Sequence, residues 1–215
     1  MKKGLTELVF ILDKSGSMSG LEKDTIGGFN SLLIKQKELD QKCILTTVLF
    51  NNNYELLHDR LNLNAVKPLN DKQYSVGGTT ALLDAIGRTI HKMITVQKNT
   101  AKEYQAEKVM IVIITDGEEN SSREYSSEKI KGLIEQQKTD YGWEFLFLGA
   151  NIDSIDTASK IGISRDRATN YHADSQGVKV NFKAMNDVVK SYRATKSIHP
   201  DWEKEIRSDY EKRKN

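Results

Sequence analysis

The chain has 215 residues, 38% of them apolar, and its 32 basic and 30 acidic residues leave a formal charge of only +2. That length suits one large α/β domain with a full core and leaves little room for two. Such a balance supplies no broad positive field, which argues against nucleic acid or an anionic membrane surface as the general partner. The lone cysteine, Cys43, lies in the apolar stretch Cys43-Ile44-Leu45, so no internal disulfide forms and the residue reads as a small buried side chain. No stretch approaches the roughly 18 apolar residues of a membrane span. The basic start Met1-Lys2-Lys3-Gly4 precedes an apolar run too short for a secretory signal. A cytoplasmic location is the expectation.

In chain order, the run from Glu7 to Leu12 reads as a buried strand ending in a polar loop. From about Asp24 to Leu39, Ile26, Phe29, Leu32, Leu33 and Ile34 recur at helical spacing. Ile44 to Phe50 and Tyr54 to Leu61 flank Asn51-Asn52-Asn53, whose tolerance of turn conformations predicts an antiparallel hairpin. A helix from about Ala81 to Gln97 carries Leu82, Leu83, Ile86, Ile90, Met93 and Ile94 on one face. Lys108 to Thr115 is a continuous apolar run, the pattern of a parallel strand buried on both sides. A charged helix over 127–139, a strand over 144–149, a helix over 152–161 and a short strand near 168–172 follow. The tail reads as two helices divided by His199-Pro200, the second with Trp202, Ile206 and Tyr210 at spacings of four. This alternation predicts a three-layer, doubly wound, Rossmann-like sheet, mostly parallel with one antiparallel edge strand. The expected organisation is a domain over 1–195 and a charged helical extension over 196–215 packing on it. The basic residues of that extension form no groove for nucleic acid.

Three polar clusters fall just after predicted strands, where open α/β sheets collect ligands. They are Asp13-Lys14-Ser15-Gly16-Ser17, Gly78-Thr79-Thr80 and Thr115-Asp116-Gly117. Alternate residues of an extended loop project to one side, so Asp13, Ser15 and Ser17 can converge. Carboxylates and hydroxyls without nearby His or Cys suit a hard cation, Mg²⁺ or Mn²⁺, and not zinc or copper. Direct ligands that are mostly neutral hydroxyls would leave the ion positive and receptive to an incoming carboxylate.

The succession Asp13-x-Ser15-x-Ser17, Gly78-Thr79-Thr80 and Thr115-Asp116-Gly117 resembles the metal-ion-dependent adhesion site of the von Willebrand factor A family, which includes integrin inserted domains. The resemblance covers roughly residues 5 to 175. It implies that Ser15, Ser17 and a second-loop threonine ligate Mg²⁺ through their hydroxyls, with Mn²⁺ or Ca²⁺ as substitutes. Asp13 and Asp116 would act largely through bound water or hydrogen bonds. Thr80 fits better than Thr79, because the family's threonine stands five residues before the small residue of Ala85-Ile86. Thr79 is the alternative. The implied function is a non-enzymatic protein-interaction module whose partner presents an Asp or Glu carboxylate. The short chain is closer to bacterial cytosolic members than to extracellular adhesins. Lys14 departs from the family pattern and either adds charge near the ligand or faces solvent.

Other readings compete. Taken alone, Asp13 to Ser17 also suits a helix-capping loop. An Mg²⁺-dependent phosphatase or hydrolase built on Asp13 would need a second carboxylate two residues on, where Ser15 stands. Gly77-Gly78-Thr79-Thr80 lacks a phosphate-loop ending, and Gly16 to Gly20 places Met18 where a serine nucleophile would sit. A structural subunit with a stabilising metal is the third reading. Glu118, Glu119 and Asn120 read as an exposed acidic turn, the four histidines as surface or capping residues, and Trp143 and Trp202 as packing anchors.

Overall fold

The computed structural model describes residues 1–213; positions 214 and 215 of the expected extension lie outside the described residues. Six strands, β1 (Lys2–Asp13), β2 (Cys43–Phe50), β3 (Tyr54–Asn62), β4 (Ala106–Thr115), β5 (Glu144–Gly149) and β6 (Ala168–Asn170), form one sheet in the order β3-β2-β1-β4-β5-β6. All neighbours run parallel except β2 and β3, which form the antiparallel hairpin turning at Asn51 to Asn53. The sheet is therefore doubly wound, and its switch point lies between β1 and β4.

Strand β1 shows why both faces need cover. Its Leu8, Phe10 and Leu12 pack against α1 (Glu22–Lys37) and α5 (Ser175–Thr195), whereas Val9 and Ile11 face the opposite layer. That layer is α2 (Leu82–Asn99), α3 (Ser127–Tyr141) and α4 (Ser154–Lys160). Strand side chains alternate between faces, so one continuous apolar run serves two cores. Burying a Leu or Phe side chain is worth about 1.5–3 kcal/mol, and the residues of β1 from Leu8 to Leu12 are at most 1% exposed.

Helix α6 (Lys204–Lys212) packs beside α5 and β6. Trp202 and Ile206 join the α1/α5 core, while the Tyr210 ring stacks on His172 at 4.6 Å between centroids. Several expectations need adjustment. Strand β1 begins at Lys2, not Glu7, because its polar first residues still pair with β4 at Ala106. Ile34 is 58% exposed and lies outside the buried stripe of α1. His58 is buried and hydrogen-bonded to Thr47 Oγ1 at 3.0 Å, a cross-strand partner invisible in the linear sequence. Trp143 and Trp202 are buried as expected. Among the described residues no helix is long and apolar enough to cross a membrane.

Candidate functional site

The ends of β1 and β4 lie side by side, so the loops leaving them meet at the switch point of the sheet. The β1 loop begins with Asp13, whose carboxylate is fully engaged. Its Oδ1 accepts from the Ser15 amide at 2.7 Å and its Oδ2 from Thr115 Oγ1 at 2.6 Å. Tyr74 donates its hydroxyl to the Asp13 carbonyl, and Tyr171 donates to the Thr115 carbonyl at 3.3 Å. Asp13 thus folds the loop and joins it to β4. Ser15 stands before a single turn, Gly16–Met18, and its hydroxyl caps nothing; α1 also lacks a side-chain cap. The capping reading of this loop is set aside.

Three hydroxyls gather beside Gly117. A Cβ built on Gly117 would sit 3.0 Å from Ser17 Oγ, 3.1 Å from Thr80 Oγ1 and 3.8 Å from Ser15 Oγ. Ser15 Oγ and Ser17 Oγ are 3.0 Å apart, and adjacent oxygens of an octahedral Mg²⁺ shell are separated by about 2.9 Å. Ser17 Oγ donates to Asp116 Oδ1 at 2.5 Å, while Asp116 Oδ2 is buried with no hydrogen-bond partner among the described residues. Thr80 is buried and turned to this point, whereas Thr79 is exposed. Asp13, Ser15, Ser17, Thr80 and Asp116 are therefore brought to one place.

The electrostatics are those of two carboxylates without a counter-charge. Burial pushes the Asp116 carboxyl up to about 6; the Ser17 hydroxyl opposes this and the Asp13 charge adds to it. Burial also raises Asp13, against the hydrogen bonds of Thr115 and Ser15. No basic side chain among the described residues offsets either charge. Lys14 neither adds charge here nor faces solvent, because it is paired with Glu55 on β3. A buried carboxylate oxygen without a donor is costly. One hard cation among oxygen donors meets that need, so the residues present fit such an ion.

Sequence reasoning missed the residues that hold these loops together. Asn51 accepts the Ala81 amide on its carbonyl at 2.9 Å and donates from its side chain to the Gly77 carbonyl at 2.7 Å. The Gly16 amide reaches the Gly78 carbonyl at 3.0 Å. Helix α2 has no cap of its own at Ala81. Glu119 Oε2 instead accepts the Leu83 amide at 2.8 Å and Ser122 Oγ accepts that of Asp84 at 3.0 Å. The segment after β4 is thus no free acidic turn. Its Glu119 is a cap supplied from a distant loop, and its charge suits a helix N-terminus.

A family model, the von Willebrand factor type A domain, matches residues 7–184. The chain belongs to that family. This vWA domain is similar in fold to a mutant of the PilB minor pilin from Streptococcus sanguinis (TM-score 0.60, 12% identity, 89% of this chain and 63% of that one). It is also similar to a von Willebrand factor type A protein from Catenulispora acidiphila (TM-score 0.57, 16% identity, 85% and 42%). A third likeness is to the manganese-loaded TRAP protein of Plasmodium vivax (TM-score 0.53, 17% identity, 85% and 74%). The vWA domain spans less than two thirds of the pilin and less than half of the Catenulispora chain. No curated protein matches the sequence.

Proposed function

We propose that this vWA domain is a divalent-cation-dependent protein-interaction module, with Mg²⁺ held by Ser15, Ser17 and Thr80 and balanced by Asp116 and Asp13. The observation that carries the reading is the convergence of three hydroxyls beside an unpaired, buried Asp116 oxygen. Mn²⁺ suits the same oxygen donors, and a vWA neighbour is manganese-loaded. A bound Mg²⁺ supplies a Lewis-acidic centre for an anionic oxygen. Because three of its donors are neutral, the charge left over selects a partner's Asp or Glu. The domain's own contribution is rigidity: Asp13 fixes the first loop, Asn51 the second and Glu119 the third.

A phosphatase has less support. Asp13 is buried, its carboxylate ties the first loop to β4, and Ser15 stands where a phosphatase's second carboxylate would be. None of the four histidines supplies a base near the serines. His58 pairs with Thr47, His91 with Gly87 and Tyr125, His172 with Tyr210, and His199 accepts the Asp201 amide.

Calorimetric titration of Mg²⁺ and Mn²⁺ into wild type and Ser17→Ala tests the site. Ser17 is exposed, so folding should survive its loss, and equal binding by both proteins would remove the metal reading. Repeating the titration in acetate and in chloride at matched ionic strength tests the partner chemistry. Acetate should tighten metal binding by reciprocal linkage, and identical affinities in both salts would remove the carboxylate-partner reading.

A further inference from the structure

The third hydroxyl, Thr80, is held in an unusual way for a residue beside a helix. It precedes α2, so no helical ladder bond fixes its backbone. Just upstream, Gly77 and Gly78 have φ of +154° and +79° and are held by Lys14, Asn51 and Gly16, but none of those bonds reaches the Thr80 amide. Both backbone groups of Thr80 nonetheless have partners, and both belong to one residue. The Thr80 amide donates to Asn120 Oδ1 at 2.9 Å, and the Thr80 carbonyl accepts from the Asn120 amide at 3.1 Å. Fixing the peptide units on either side of a Cα fixes the direction of its Cβ. Thr80 Oγ1 is thereby aimed at the point it shares with Ser17 and Ser15.

We propose that Asn120 is a positioning residue that clamps Thr80 by two hydrogen bonds and thereby makes it a ligand of the cation site. The inference rests on the metal reading of that site. It assigns to Asn120 a role distinct from its neighbours. Glu119 and Ser122 cap the α2 amides, and Asp84 in turn accepts the amides of Arg123, Glu124 and Tyr125. Those contacts dock the loop on the helix end and remain when the Asn120 side chain is removed. Losing Oδ1 frees only the Thr80 amide, so the hydroxyl is no longer held in the shared arrangement while the helix cap persists. Asn120 is exposed, and its truncation leaves no core cavity.

The test uses the full chain and four variants: Asn120→Ala, Asn120→Asp, Thr80→Val and the double variant Asn120→Ala with Thr80→Val. The readouts are Mg²⁺ affinity by calorimetry, melting temperature in EDTA, and hydrogen exchange at the Thr80 amide. Asn120→Ala should weaken Mg²⁺ about tenfold with a near-unchanged melting temperature in EDTA. Asn120→Asp keeps the Oδ1 acceptor and should restore affinity to within about threefold. In the Thr80→Val background, adding Asn120→Ala should change affinity less than about twofold, since the group it positions is gone. Exchange at Thr80 should accelerate in Asn120→Ala in the absence of metal. Wild-type affinity in Asn120→Ala, or the same loss in both backgrounds, would overturn the clamp. Absence of Mg²⁺ binding in wild type would instead overturn the metal reading beneath it, whatever the exchange shows.

Discussion

Replacing Thr80 with valine separates metal binding from folding because the two shapes match and only the hydroxyl is lost. Thr80 is 3% exposed, and its hydroxyl forms no hydrogen bond with a described residue, so the metal-free protein loses no internal bond. The Asn120 bonds use the backbone of Thr80 and persist. Melting in EDTA should therefore change little. With Mg²⁺ at a hundred times the wild-type Kd, binding to the native state alone adds about 2.7 kcal/mol. A domain of this size gains about 2–4 °C per kcal/mol, so the wild type should melt roughly 5–11 °C higher with Mg²⁺. Removing one direct donor should cost about a hundredfold in affinity, at least what outer-shell losses cost. The same Mg²⁺ then equals the variant's Kd, which leaves about 0.4 kcal/mol and roughly 1–2 °C. The assay is differential scanning fluorimetry with and without Mg²⁺, with Thr79→Val as the control. Exposed Thr79 should be silent. A Mg²⁺-induced shift that survives Thr80→Val, or vanishes in Thr79→Val, would refute the assignment of the third hydroxyl.

Gly117→Ala places a methyl group 3.0–3.8 Å from all three hydroxyls. Gly117 lies outside the positive-φ glycines and exposed Ser17 can give way, though buried Thr80 has less room, so melting in EDTA should move by only a few degrees, while calorimetric Mg²⁺ affinity falls tenfold or more; unchanged affinity would show that the hydroxyls do not share a ligand. The Asp116 carboxyl stands at about 6, above its ordinary 3.8, because of burial. A raised acid favours the metal-free fold at low pH, and this contribution is lost as pH rises through 6. Mg²⁺ affinity should run the other way, weakening about tenfold per pH unit below 6 as protons compete; titrations at pH 5, 6 and 7.5 that coincide would contradict it. Burial likewise pushes the Cys43 thiol up to about 12. Iodoacetamide at pH 8 should label Cys43 only in denaturant, and mass spectrometry reads the outcome directly. Arg193 is 1% exposed, with Nη1 donating to the Gln36 carbonyl at 2.6 Å and Nη2 to that of Gln41. Arg193→Ala opens a cavity and takes the donor away from the Gln41 carbonyl and from buried Gln36 Oε1, a loss of about 3–5 kcal/mol that denaturant melts would register.

The chain's strands were legible wherever burial on both faces made the apolar run continuous. Lys108 to Thr115 and Glu144 to Gly149 lie within or coincide with β4 and β5. The beginning of β1 was not, because Lys2 to Gly4 are polar and are held by pairing to a strand a hundred positions away. Ile34 matched a helical stripe by spacing, but no neighbouring element covers that side of α1. The convergence of these oxygens was legible because Asp13, Ser15 and Ser17 sit at alternate positions of one loop and Asp116 directly follows a strand. What holds them could not be read locally. Asn120 meets Thr80 across forty positions and Thr115 meets Asp13 across 102. Glu119 and Asn120 look like surface residues until the fold turns them toward α2.

The sheet order also sets which strand edge stays open until late in the sequence. Strand β1 pairs on one side with β2 and on the other with β4, whose last residue is Thr115. Until that point is synthesised, a growing chain that has already paired β1 with β2 carries the long apolar β1 as an uncovered edge, open to pairing with other chains. The arrival of β4 both closes that edge and delivers Asp116 to the serines of the first loop. Covering the β1 edge and bringing Asp116 to Ser17 thus depend on the same strand pairing.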